Sequence, residues 1–192
     1  MYPGGLEGHG QFSQIAGKVK AAGEGKKYDC VVGVSGGCDS SYMLWRLKEA
    51  YGLRVLAVHF DNGWNGEIGA ENLRKITRGL DVDLEMVQPD KQEFRSIQRA
   101  FLEAGSVDIE TASDIGLAAA LYRTAHKYGL QYIMEGHNFR TEGSWPLGWL
   151  YMDGRYINEM CKKYGRWPLR SYGNMTMWDM FHWMGWHGIK KL

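Results

Sequence analysis

Apolar and polar positions alternate in period along this chain, and the period changes mark its elements. At 12–22, "FSQIAGKVKAA" sets Phe12, Ile15 and Val19 at helical spacing, and "GEGKK" ends that helix. "YDCVVGV" (28–34) is a continuous apolar run, the pattern of a strand covered on both faces. From Ser40, "SYMLWRLKEAY" turns Met43, Leu44 and Leu47 to one side of a helix. A second buried strand is predicted over 53–60, a helix over 70–80 and a short strand over 82–87. Asp90 is a predicted cap for a helix over 90–105. The polar start, alanine-rich body and terminal Gly129 of 113–129 predict another helix. A strand follows over 130–136. Beyond it the pattern is less regular, with one late helix expected within 173–188.

Strands alternating with helices predict an α/β fold, a doubly wound parallel sheet with helices on both faces. Ligands of such sheets sit beyond the C-terminal strand ends, at a switch point. The loops at 34–41, 60–66 and 136–143 therefore carry the candidate chemistry, and all three are rich in small or polar residues.

Composition changes this picture in one place. Six of the eight tryptophans lie between Trp145 and Trp186, and residues 151–192 carry a net charge of +4 against −3 for 1–150. A boundary is expected there: a nucleotide-binding domain over 1–144 and a Trp-rich segment over 145–192. Its apolar surface is expected to pack on the core or on a second copy of the chain, a homodimer. The overall net charge of +1 gives no general case for nucleic acid. No run is long and apolar enough for a membrane span. The first residues lack the pattern of a signal peptide. Cys30, Cys38 and Cys161 show no CxxC spacing, so neither a disulfide framework nor a zinc site is expected, and a reducing cytoplasm fits.

The most specific signal is the turn after the first strand. Val34, Ser35, Gly36, Gly37, Asp39, Ser40 and Ser41 end a strand and open a helix. Helix N-terminal amides and flexible glycines suit an anion, and serine hydroxyls can donate to phosphate oxygens. The turn has no lysine, unlike the common phosphate loop. Asp39 is a candidate oxygen ligand for the metal that accompanies a nucleotide triphosphate. A chance match to S-G-G-x-D-S has odds of about one in a million per position at average residue usage.

This turn resembles the signature of the PP-loop, or N-type, ATP pyrophosphatases. The resemblance implies a doubly wound sheet of about five strands, binding of ATP with Mg2+, and cleavage between the α- and β-phosphates to leave an adenylated substrate. Taken with "LAVHFDNGWN", "DIETASDIGLAAALYRTAHKYG" and "YIMEGHNFRTEG", residues 26–145 are similar to the N-acetyl sugar amidotransferases of bacterial surface-polysaccharide and lipopolysaccharide synthesis. Those enzymes convert an acetamido group to an acetamidino group. Members of that group begin with a cysteine-bearing segment and continue beyond the point where this chain stops. The chain is therefore expected to be a fragment or a short relative.

The resemblance assigns further residues. His59 and Phe60 would line the purine, with Gly136 also at the nucleotide. Asp61 and Asn62 stand at a strand end. The run "GHNFRTEG" is similar to one in NAD synthetases whose acid contacts metal, which makes Glu142 a second magnesium ligand beside Asp39. His137, Asn138, Arg140 and Thr141 would position phosphate or substrate, and Asp114 opens a helix facing the same pocket. Plain readings stand beside these: Phe60 as core, His59 as a satisfied buried histidine, Asp114 as an N-cap. No glutaminase site is evident, so a separate glutamine amidotransferase with a cyclase-like channel subunit would supply ammonia to a sugar substrate. The alternatives are a tRNA-thiolation-type enzyme, supported by the basic stretch at 155–170, and a nucleotide-binding subunit without turnover.

Overall fold

The computed structural model describes residues 5–136 and 153–192. The first strand, β1 (Cys30–Gly33), lies at the centre of a five-stranded sheet in the order β3-β2-β1-β4-β5. Its partners are β2 (Val55–Phe60), β3 (Asp83–Val87), β4 (Tyr132–Met134) and β5 (Lys190–Lys191), and every pairing is parallel. The connecting helices are α1 (Gly5–Ala22), α2 (Cys38–Trp45), α3 (Glu67–Gly79), α4 (Lys91–Glu103) and α5 (Thr111–Lys127). After them come α6 (Gly154–Tyr164) and α7 (Met177–Phe181). A π-turn prolongs α2 over Arg46–Ala50, and another prolongs α7 over His182–Trp186.

The apolar strands divide their side chains between two cores because successive residues point to opposite faces. Cys30, Val32, Val34, Val55, Ala57 and Met134 face α1, α2 and α3. Val31, Leu56, Val58, Phe60 and Ile133 face α4, α5 and α6. Gly116 in α5 is required by this packing, since a Cβ there would overlap the ring of Phe60.

The predicted elements through 136 are all present, with ends moved by a few residues. Asp90 caps α4 as expected, accepting from the amides of Gln92 and Glu93 at 3.0 Å each. The helix expected from 113 begins earlier, at Thr111, because Asp108 organises the turn before it. Asp108 accepts from Glu110 N at 2.9 Å and from Thr111 Oγ1 at 3.1 Å. Asp114 therefore lies in the first turn of α5 rather than at its cap.

Two elements were not foreseen, α6 and β5. Both belong to the Trp-rich segment, and both join the sheet's own domain. Ile157, Tyr172, Met175 and Ile189 are buried in the same core as β1 and α5. The described tail packs on the core only in part: Trp167, Trp178, Phe181, Met184 and Trp186 are exposed in the single chain, so the core alone does not cover most of its apolar surface as expected; the proposed boundary at 144/145 lies outside the described residues. The tail is held by a buried carboxylate. Glu93 of α4 accepts from Arg170 N (2.6 Å), Ser171 N (2.8 Å), Ser171 Oγ (2.6 Å) and Tyr172 N (3.0 Å). Burial pushes its pKa up, but these hydrogen bonds outweigh burial and hold it below the ordinary carboxylate value.

Candidate functional site

Strand order reverses at β1: β2 and β3 lie on one side, β4 and β5 on the other. The crevice beyond the C-terminal ends of β1 and β4 is therefore the switch point where ligands bind in such sheets. The S-G-G-x-D-S turn stands at that position.

Its geometry is set by local hydrogen bonds. Ser40 Oγ accepts from Ser35 N at 3.2 Å and donates to Gly37 O at 3.3 Å. Ser35 Oγ accepts from Gly37 N at 3.3 Å and lies 3.2 Å from Ser40 Oγ. Gly36 has φ +81°, and a Cβ there would run into the carbonyl of Gly69 in α3. Only glycine meets both conditions. Gly37 occupies the N-cap of α2 with no side-chain cap bond. Among the described residues the amides of Cys38, Asp39 and Ser40 have no acceptor. Ser41 N makes the first intrahelical-type bond, to Gly37 O at 3.1 Å. The helix thus starts with open donors and its positive dipole end in the crevice. Asp39 is exposed on that first turn, with no hydrogen bond or ion pair among the described residues.

Gly136, just after β4, borders the far side. A Cβ on Gly136 would lie 3.3 Å from Asp39 O and 3.5 Å from Met43 Cβ, so the backbone passes directly over the start of α2. His137, Asn138, Arg140, Thr141 and Glu142 follow this contact but lie outside the described residues.

The β2 loop forms the other wall. His59 is buried, with Nδ1 2.7 Å from Val34 O and Nε2 2.7 Å from Asn65 Nδ2. An amide nitrogen only donates, so Nε2 accepts and Nδ1–H donates to Val34 O. His59 is therefore a strut between the end of β1 and the loop. Phe60 is core, meeting Phe94 edge-on at 5.8 Å. Asp61 Oδ1 accepts from Gly63 N at 2.9 Å, and Oδ2 accepts from Gln88 Nε2 at 2.6 Å. Asn62 Oδ1 accepts from Trp64 N at 3.0 Å, while its Nδ2 donates to Ser113 Oγ at 3.1 Å. That bond draws the start of α5 to the loop. Asp61 and Asn62 are thus committed to shaping the loop.

A cavity of about 350 Å³ opens beside this loop, above β2 and β3. His59, Asp61, Trp64, Arg74, Lys91 and Arg95 are among its walls. Its volume is within the range of small-molecule sites. Trp64 is 67% exposed and held by an indole N–H bond to Gln98 Oε1. Sequence reading missed Gln88, because no periodicity encodes a contact across the 27 positions separating it from Asp61, and it missed Asn65, which six residues from His59 reads only as turn chemistry. It also missed the cations, which on helices read as a solvent face. "DNGWNG" was the available signal for the loop itself.

Two cysteines are inert thiols. Burial pushes Cys30 up to about 12 and Cys161 up to about 11. All three cysteines are free. Among the described residues no group of three His, Cys, Asp or Glu is arranged to hold a metal, and no helix is long and apolar enough to cross a membrane.

Comparison with known proteins bears on the class. The family profile described as "Queuosine biosynthesis protein QueC" matches residues 29–122, just under half of the chain. An uncharacterized protein of Methanocaldococcus jannaschii, MJ1599, is 31% identical over 114 residues, 59% of this chain and 40% of that protein. This chain thus spans about two fifths of the curated relative it matches. Among solved structures, the glutamine-dependent NAD+ synthetase from Acinetobacter baumannii, in complex with ADP, superposes with a TM-score of 0.51 at 20% identity. The match covers 73% of this chain and 28% of that one. The U34-tRNA thiolase NcsA from Methanococcus maripaludis, described with its [4Fe-4S] cluster, gives a TM-score of 0.48 at 13% identity, over 95% and 66% of the two chains. The fold is the adenine nucleotide alpha hydrolase-like α/β fold. The QueC match, with the S-G-G-x-D-S turn, supports the PP-loop ATP pyrophosphatase superfamily.

Proposed function

We propose that this chain binds ATP with its pyrophosphate portion in the Ser35–Ser41 turn and transfers AMP to an amide carbonyl oxygen. The observation that carries this is the uncapped start of α2, with the amides of Cys38, Asp39 and Ser40 open beside two serine hydroxyls. The cavity beside Trp64 is assigned to the nucleoside end of ATP.

In the reaction the carbonyl oxygen attacks the α-phosphorus, the bond to the bridging oxygen of the β-phosphate breaks, and pyrophosphate leaves. The product is an O-adenylyl imidate. Ammonia adds at its carbon, a proton is lost, and AMP departs with the original oxygen to leave an amidine. The protein's part is alignment and neutralisation of charge on the leaving pyrophosphate. Glycine amides and serine donors do this without a nucleophilic side chain. The exposed, unpaired carboxylate of Asp39 suits Mg2+, a hard cation with oxygen ligands. Glu142 is the second proposed ligand, and bound Mg2+ would draw charge from the phosphates.

The finer reading is that the carbonyl belongs to the acetamido group of a bacterial surface sugar. The order and spacing of the stretches in 26–145 support it. Ammonia would come from a separate glutamine amidotransferase through a cyclase-like channel subunit. A tRNA-thiolation-type enzyme is the second reading, sharing the same adenylation step, and the basic stretch at 155–170 supports it; transfer of sulfur rather than ammonia to the adenylated carbon separates the two.

The test is phosphorus NMR of the full chain with ATP, Mg2+, ammonium and acetamido sugars. AMP and pyrophosphate are the expected products; ADP and orthophosphate would refute the reading. Asp39→Asn should abolish turnover with the fold intact, and Glu142→Gln is expected to do the same.

A further inference from the structure

The π-turn that prolongs α7 has a chemical consequence away from the crevice. It closes with His187 N–H donating to His182 O at 3.2 Å, an i to i+5 bond. An α-helical turn brings i and i+4 together, whereas this turn brings residues five apart onto one face. The residues so aligned are both histidines. Their Nε2 atoms lie 3.1 Å apart, with ring centroids at 4.7 Å and planes at 85°. His126 of α5 packs on His187 at 4.2 Å, and Trp183 walls the pair at 5.2 Å from His182 and 5.4 Å from His187.

We propose that His182 and His187 form a two-histidine site for a divalent transition cation of the zinc class. Zinc sits about 2.0–2.1 Å from imidazole nitrogen, so two nitrogens at this separation subtend about 100° at a shared ion, between octahedral and tetrahedral values. In the structure one Nε2–H points at the other Nε2; the ion takes the place of that proton after a rotation of the rings. The remaining coordination positions are open to water. The neutral imidazole is the ligand form. The turn directly precedes Ile189 and β5, which pairs with β4. A bound ion would therefore brace the segment that completes the sheet. The site is independent of the proposed ATP chemistry.

The experiment is calorimetric titration of the tag-free full chain with zinc chloride, paired with thermal melts and nitrogen-15 imidazole spectra. One ion per chain is expected, with a rise in Tm and shifts at Nε2 of His182 and His187. His182→Gln and His187→Gln should each weaken binding at least about tenfold, while His126→Gln, which removes a ring neighbour but no ligand, should stay within about threefold. Zinc binding unchanged in the double variant would overturn the proposal. So would wild-type imidazole spectra that zinc leaves unmoved, a readout that does not depend on any variant folding.

Discussion

The sheet from β1 to β4 and the C-terminal segment from Asp153 are held by different physics. The first is built around central strands apolar on both faces, all six residues of β2 being buried, with the more polar β3 at its edge. The second has two buried residues in α6, Gly154 and Ile157, and a β5 of two exposed lysines. Polar anchors hold it beside the apolar contacts of Ile157, Tyr172, Met175 and Ile189: the Glu93 carboxylate on residues 170–172, and Tyr172 Oη donating to Ala112 O at 2.7 Å. Within the segment, Asn174 ties α6 to the stretch before α7 with three bonds, to Gly154 O at 2.8 Å, to Asn158 Oδ1 at 2.9 Å and from Met175 N at 3.0 Å. Hydrophobic burial is tolerant of exact partners, whereas a buried carboxylate needs every donor in place. The comparison teaches that the segment read as an appendage is clasped to the core at a few points, each breakable by one substitution.

The largest expected effect breaks the clasp. Glu93→Ala removes the acceptor of the amides of residues 170–172, that of buried Tyr172 among them, and should cost about 1–3 kcal/mol, measured by urea unfolding. Glu93→Gln keeps the shape but loses the charge-assisted bonds and should cost less. An Ala variant as stable as wild type would mean that apolar packing alone holds the tail. Acid sharpens the same point. The folded pKa of Glu93 is depressed, so its contribution is present above the ordinary carboxylate range and is lost as pH falls through the folded value. Tail amides should gain hydrogen exchange at acid pH before those of β1 and β2, and simultaneous loss would break the contrast.

Next in size is a change on the other side of the comparison. Gly36→Ala forces an L residue to φ +81° against the Gly69 carbonyl, at about 1–2 kcal/mol for the dihedral alone. ATP affinity should fall with it, while the tail's exchange rates stay as in wild type. The smallest expected effect is at the cavity. Trp64→Ala should weaken ATP about tenfold, the scale of one lost base-stacking contact, and leave inorganic pyrophosphate binding unchanged. Equal losses for both ligands would move the nucleoside elsewhere.

The contrast also explains what was legible in the sequence. Strand and helix positions through 136 follow from runs such as "CVVGV" and the spacing of Met43, Leu44 and Leu47, because burial imposes a period. The turn was legible because Gly36, Gly37 and the serines satisfy local geometry within a few residues. α6 was missed because its inward positions are few and its neighbours polar. β5 was missed because two lysines at a sheet edge carry no strand pattern; backbone bonds place them, such as Lys190 N to Gln131 O at 2.7 Å. His59 was open between ligand contact and strut, and Asn65, six residues on, decided it.

The central claim is that the Ser35–Ser41 turn is the phosphate-binding element. Amide NMR of the full chain, titrated first with sodium pyrophosphate and then with ATP and Mg2+, tests it most directly. The account predicts that the amides from Gly36 to Ser41 move most with both ligands, and that ATP additionally shifts the Trp64 indole. Saturable ATP binding that leaves those turn amides unmoved would contradict it.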